Sequence, residues 1–302
     1  MQERRRRRRR RRVWPWALLV AIALLLLWYR REAPLVLGTF NIRTFPDKKT
    51  DPEEVAAAIA ELNADAFAVQ EIREPARLFA VLDRANALTG RRYGAALTAS
   101  CRGNSKGRLH VGVVYDAARL ELKEHRPLSE GEKCPLGQAP ASLTSLRTAR
   151  GRTLALVSVH FDSGGKPERW ARRKQQWQWL SSILPRLREE FGGEVVVAGD
   201  FNTTGYLEAE DEERRFIDGM VEREGLQLPT GVLGCTEYWR PKSKVRRWEA
   251  SLLDHFLGGK DLSFGTPEVL GMCAALGCAV QTAEPAKLPT VSDHCPVRIT
   301  LR

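Results

Sequence analysis

Eight residues of this 302-residue chain could bind a metal or move a proton, and all stand where apolar runs stop. Asn41 lies in GTFNIR, Glu71 closes AVQEI, and His160 ends VSVHF. Asp200 and Asn202 end VVVAGDFN, Asp254 interrupts SLLDHF, and Asp293 with His294 sits in VSDHCPV. Charged groups beside buried sheet are costly unless they meet a cation or each other. A single such residue would be a capped turn or a surface ion pair. Recurrence at so many strand ends points to one divalent-metal site assembled from distant segments. Oxygen donors with few histidines favour a hard ion, Mg²⁺ or Mn²⁺, over Zn²⁺. Histidine beside such a site suits a phosphoester reaction, in which an imidazolium stabilises phosphate charge.

These residues need a scaffold of buried strands. LVLGTFNI, AFAVQEI, YGAALTA, HVGVVYD, TLALVSVHF, EVVVAGDF, SLLDHFL and CPVRITL are short and mostly apolar, as expected of strands covered on both faces. Between some of them lie helical patterns. Residues 51–63 have Pro in the first turn and Val55, Ile59 and Leu62 on one face. Residues 166–190 space Trp170, Trp177, Leu180 and Leu184 as a helix would. Strands outnumber helices and alternate with them irregularly, which predicts a sheet-rich α/β sandwich in one domain over residues 35–302. No G-x-G-x-x-G or Walker-type loop supports a nucleotide-binding alternative.

In order along the chain come N-x-R after a first strand, QE after a second, a strand-end His, GDFN, an LD pair and a terminal SDHxPV. This set resembles the metal-dependent endonuclease/exonuclease/phosphatase family over essentially all of residues 35–302. The resemblance implies a four-layer αββα sandwich of two packed mixed sheets flanked by helices. It makes Glu71 the principal Mg²⁺ ligand, Asn41 a support for the metal or the scissile phosphate, and Asp293 a further ligand. Asp200 would orient or deprotonate the attacking water, and Asn202 would hold that water or a phosphate oxygen. His294, its ring held by Asp254, would contact the phosphate, and His160 would stabilise the phosphate or assist the leaving oxygen. The carboxylate that accompanies the strand-end histidine in deoxyribonuclease-like members has no counterpart here, which leaves the general acid open.

Within that family, two features lean toward nucleic acid; DNA is the substrate expected, though the features themselves do not separate DNA from RNA. HFDSGG followed by a basic helix resembles an H-x-x-S-G segment of secreted and surface nucleases, marking Ser163 and Arg173 for substrate. YWRPKSKVRRW, residues 238–248, sets Arg240, Lys242, Lys244, Arg246 and Arg247 between Trp239 and Trp248, a pattern for phosphate contact and base stacking. The competing substrates are sphingomyelin or other lipid phosphodiesters; a catalytically inactive surface binding module is the reading from another class. No protein partner is inferred.

The formal charge of +11 does not decide between these. Residues 1–31 carry eleven basic residues against one acid, net +10, which leaves +1 for the other 271. A binder held by bulk charge is thereby excluded. Residues 13–29 are uncharged and about 25 Å long as a helix, with aromatic residues at both ends. They predict a transmembrane signal anchor behind an Arg-rich cytoplasmic segment (1–12) and ahead of a short tether (30–34). The catalytic domain would then be extracytoplasmic, periplasmic or extracellular. A cleaved signal peptide is the alternative. Six cysteines permit full pairing in an oxidising compartment, in fifteen ways, and Cys101 with Cys134 is the preferred pair because both lie in loop-like sequence.

Overall fold

The computed structural model describes residues 18–20, 33–99, 109–128, 141–208, 211–241 and 247–302. β1 (Leu35–Phe45), β2 (Ala66–Ile72), β3 (Tyr93–Ala99) and β4 (His110–Asp116) join two later strands in the first mixed sheet. Those two are β13 (Glu268–Val269) and β14 (Val297–Leu301), and the order is β13-β14-β1-β2-β4-β3. The second sheet contains β5 (Leu120–Pro127), β6 (Ser142–Thr148), β7 (Thr153–His160), β8 (Val195–Asp200), β9 (Leu226–Gln227) and β12 (Asp254–Gly259). Its order is β5-β6-β7-β8-β12-β9. A small ribbon, β10 (Glu237–Trp239) with β11 (Glu249–Ser251), stands apart from both.

The two sheets close on each other through Leu37, Ala68, Val113, Leu156, Val196 and Phe256, all fully buried. The central strands β1, β2, β7, β8 and β12 therefore bury both faces, which is why their runs read as continuously apolar rather than alternating. Outside the first sheet lie α1 (Pro52–Leu62) and α2 (Pro75–Thr89), packed through Val55, Ile59, Leu78 and Leu82. Outside the second lie α3 (Pro167–Glu190) and α4 (Glu212–Arg223), packed through Trp177, Leu180, Ile217 and Met220. Helix α1 starts where Asp51 accepts the amides of Glu53 and Glu54 and ends at Asn63 in a left-handed cap.

A short helix, α5 (Gly271–Leu276), anchors a fourth cluster with Tyr238, Met272 and Leu288. Two disulfides, Cys235–Cys278 and Cys273–Cys295, tie the ribbon and the chain ahead of β14 to it. The expected Cys101 and Cys134 pair lies outside the described residues.

The layered sandwich matches the expectation; the membrane helix in front of it does not. Among the described residues no helix is long and apolar enough to cross a membrane. Of residues 13–29 only 18–20 are described, as helix. The rest of that segment, residues 1–12 and residues 30–32 lie outside the described residues. The transmembrane anchor, and the membrane-anchored localisation built on it, are therefore not supported.

Candidate active site

Sheet register assembles the second sheet's half of the site. In the parallel pair β7 and β8, His160 stands opposite Asp200, and in the antiparallel pair β8 and β12, Asp254 stands opposite Asp200. His160, Asp200 and Asp254 thus form one row across three strands. Gly199 lets β8 lie this close: its φ is +149°, and a Cβ there would sit 2.1 Å from the Val159 carbonyl oxygen.

The first sheet contributes Asn41 and Glu71 from β1 and β2, where the pairing is interrupted on both sides of Gln70 and Glu71. Arg43, Thr44 and Glu71 all have positive φ, as does Asn202 after β8. Non-glycine residues pay for such conformations, and they concentrate at functional sites. Here the strain turns Glu71 so that its Oε2 accepts the Thr44 amide at 2.8 Å and the Thr44 hydroxyl at 2.9 Å. His160 Nε2 lies 3.6 Å from Glu71 Oε1 and 3.5 Å from Asp200 Oδ2.

Asp200 joins the two halves. Its Oδ2 accepts from Asn41 Nδ2 at 2.9 Å and its Oδ1 from the Asn202 amide at 2.8 Å. The Asn202 side chain donates in turn to the Phe161 carbonyl at 3.0 Å. His294 is fixed from behind: Nδ1 is 2.8 Å from Asp254 Oδ2, and its amide donates to Ser292 Oγ. That leaves Nε2 pointing toward Asp200 Oδ2 at 3.7 Å and Asn41 Nδ2 at 3.5 Å. Asp293 sits beside it, 3.8 Å from Arg43.

The strands therefore bring together Asn41, Glu71, His160, Asp200, Asn202, Asp254 and His294, with Asp293 at the edge. Ser163 lines an adjoining groove of about 660 Å³ together with Trp170, Trp239 and Asn202. Arg173 lines the same groove, but its guanidinium is engaged: it donates to both Glu213 oxygens, to the carbonyls of Asp162 and Gly164, and to Thr204. Only 1% of it is exposed. Arg240 and Arg247 are exposed, Arg247 pairing with Glu249, while Lys242, Lys244 and Arg246 lie outside the described residues. His255, next to Asp254, turns away and is buried between Thr203 and Thr230.

Sequence reasoning missed Glu237. It forms an isolated antiparallel bridge with His294, and its Oε1 lies 4.0 Å from His294 Nε2. The only sequence trace of it is a lone carboxylate in CTEYW, a three-residue strand with no apolar run to interrupt.

Carboxylates outnumber cations here, and their mutual burial shifts where they hold protons. Burial pushes Asp200 up to about 6; His294, His160 and the Asn202 amide oppose the rise, and Asp254 adds to it. Burial takes Glu237 up to about 8, opposed by His294 and reinforced by Asp293, Asp200 and Asp254. Burial works against the charge of His294, but Asp254, Asp200 and Glu237 hold its proton well above the ordinary imidazole range. Glu71 goes the other way: burial raises it, yet His160, Thr44, His294 and Asn41 together bring its carboxyl below the usual value.

Such a surplus of buried oxygen charge fits a hard divalent cation. Asp200, Asp254 and His294 each offer a ligand atom, all within 4.8 Å of one another. The close contact of His294 Nδ1 with Asp254 commits two of these three to each other, and Glu71, with Oε1 3.6 Å from His160, is a further group that could donate.

The chain matches the Endonuclease/Exonuclease/phosphatase family over residues 38–294. Solved structures with the same fold include D. rerio TDP2 complexed with single strand DNA product, at 16% identity and a TM-score of 0.62, covering 90% of this chain and 100% of that one. They also include an endonuclease/exonuclease/phosphatase from Bacteroides vulgatus, at 17% identity and a TM-score of 0.60 over 90% and 99% of the two chains. The Bacteroides thetaiotaomicron mannosyl-6-phosphatase is similar at 17% identity and a TM-score of 0.58 over 89% and 99%. No curated protein matches in sequence. With the match spanning most of the body, the chain belongs to the endonuclease/exonuclease/phosphatase family, whose members hydrolyse phosphoric esters and generally depend on a divalent metal.

Proposed function

We propose that the chain is a Mg²⁺- or Mn²⁺-dependent phosphodiesterase that cleaves DNA. The observation that carries the reading is the line from Asp254 through His294 to Asp200, with Glu71 and Asn41 facing it from the other sheet. A base, a charged imidazole and an ionised carboxylate converge on one point from separate elements.

In this reading Glu71 would hold the cation, with Asn41 and Asp293 beside it. When bound, the cation would supply neutralisation of charge on the phosphoryl oxygens. Asp200, fixed by Asn41 and by the Asn202 amide, takes the proton of the attacking water. His294 donates from Nε2 to a non-bridging phosphate oxygen, and Asp254 holds its ring and its charge. His160 stands between Glu71 and Asp200 and donates to the same phosphate. Arg173 holds the loop bearing Ser163 in shape, and its contribution to substrate is that loop.

DNA is favoured by the exposed Trp239 on the groove wall, followed in sequence by the exposed Arg240 and a basic stretch, and by a structural neighbour bound to a single-strand DNA product. Sugar phosphate is the second reading, favoured by Glu208 and Asp211 on the groove wall, which accept from hydroxyls and repel further phosphates. The test is turnover by the purified chain on single-stranded and plasmid DNA, a hexose phosphate and sphingomyelin, with and without Mg²⁺. Metal-dependent cleavage of DNA alone is expected. Cleavage of another ester with DNA intact replaces the substrate, and no cleavage of any ester makes the chain a binding module.

A further inference from the structure

We infer that Glu237 is a catalytic residue of the proposed hydrolysis, the group that gives a proton to the leaving oxygen; this rests on the phosphodiesterase reading above. Its backbone is tightly placed. Besides the bridge with His294, the Tyr238 amide donates to the Asp293 carbonyl at 2.9 Å, and the Cys295 amide donates to the Thr236 carbonyl at 2.8 Å.

The neighbouring carboxylates each have a closer partner on at least one oxygen: Asp200 has Asn41 and Asn202, Asp254 has His294 Nδ1, Glu71 has Thr44, and Asp293 lies 3.8 Å from Arg43. Among the described residues Glu237 has only His294 Nε2, at 4.0 Å. That same nitrogen lies 3.7 Å from Asp200, so the base and Glu237 flank the atom placed for the phosphoryl group.

Glu237 and Asn202 belong both to the reaction centre and to the lining of the 660 Å³ groove. In this proposal the ester substituent lies in that groove, against Trp170, Trp239 and Leu253, with its bridging oxygen beside Glu237.

The step balances. A bond forms between the water oxygen and phosphorus, and the water's proton passes to Asp200. The bond between phosphorus and the ester oxygen breaks, its electron pair staying on that oxygen, which takes the Glu237 proton. Solvent returns one proton and removes the other.

Leaving-group dependence tests this on the full, disulfide-bonded chain with Mg²⁺. Two diesters share one nucleoside: a p-nitrophenyl ester of thymidine phosphate, whose leaving group needs no proton, and a thymidine dinucleotide, whose leaving group does. Glu237→Gln is expected to lose about 10²-fold or more on the dinucleotide and to stay within about threefold on the p-nitrophenyl ester. Equal losses on both, or none on either, overturn the assignment. A second measurement needs no variant: wild-type rates across aryl and alkyl esters are expected to vary shallowly with leaving-group pKa, and a steep dependence overturns it. Wild type inert on every ester overturns the phosphodiesterase reading itself.

Discussion

Carboxylates are buried at both ends of the sandwich, and the two ends settle the charge differently. At the start of β2, Asp65 is fully buried and accepts from the Val36 amide at 2.8 Å, Arg91 at 2.8 Å and Arg119 at 2.6 Å. Asp116 beside it accepts from Arg91 and from the amides of Arg92 and Ala118. At the far end of the same strand, about 20 Å away, Glu71 opens onto Asp200, Asp254, Asp293 and Glu237, with two imidazoles and Arg43 as the nearby cations. A buried carboxylate matched by guanidinium groups is neutralised within the fold, and removing either partner strands a charge. A carboxylate left facing others is a cost carried by the fold and is available for a metal and a substrate.

If that contrast is real, perturbations should separate along it. Chelation comes first: EDTA should reduce ester hydrolysis to background, with Mg²⁺ restoring it, measured as initial rates. Persistent turnover in chelator would remove the cation from the surplus-charge end. Next, Asp200→Asn and His294→Ala should each lower kcat by about 10³-fold through loss of the base or of phosphate stabilisation. Cooperative urea unfolding should persist in both.

At the matched end the signature inverts. Asp65→Asn should lower stability by about 3 kcal/mol, because two guanidinium groups lose a buried partner. Its kcat, measured on the folded fraction, should stay near wild type; a large catalytic loss would dissolve the distinction between the ends.

The smallest effect is the sign of the pH dependence. Asp200 titrates higher in the fold than unfolded, so its contribution is present below pH 4 and is lost as pH rises toward 6. Asp116 is lowered: burial raises it, but the Ala118 and Arg92 amides and Arg91 prevail. Its contribution is present above its unfolded pKa and is lost as pH falls. In chelator, Asp200→Asn should flatten the fall in unfolding free energy between pH 4 and 6, and Asp116→Asn should reduce acid sensitivity. Parallel profiles for all three proteins would sink this reading.

What could be read from sequence divides along the same physical lines. Asn41, His160, Asp200 and Asp254 were legible because each interrupts a run buried on both faces, where a polar side chain has no bland explanation. The layered α/β fold follows from those runs. Glu237 was not legible: its role comes from pairing with a residue 57 positions away, across a ribbon too short to leave a periodic mark. Arg173 was marked for substrate by the basic helix that follows HFDSGG; its burial against Glu213, which arrives from α4, left no trace in the sequence. Pairing among Cys235, Cys273, Cys278 and Cys295 was equally hidden, since spacing does not choose between partners. The apolar run at residues 13–29 carried length and composition without a spanning helix among the described residues to support the anchor read from it.

The two disulfides interleave, because Cys273 precedes Cys278 in sequence. Along the backbone, Glu237 and His294 are separated by 57 residues. Through the cystines the path is two residues to Cys235, five from Cys278 back to Cys273, and one from Cys295. A fully stretched chain could part the two side chains by roughly 190 Å when reduced and by only about 40 Å when oxidised. Denaturant can therefore dissolve the sheets without dispersing this corner of the site. An oxidised chain returns to its fold with Glu237 already at high local concentration around His294, whereas a reduced one must find that pairing by long-range search.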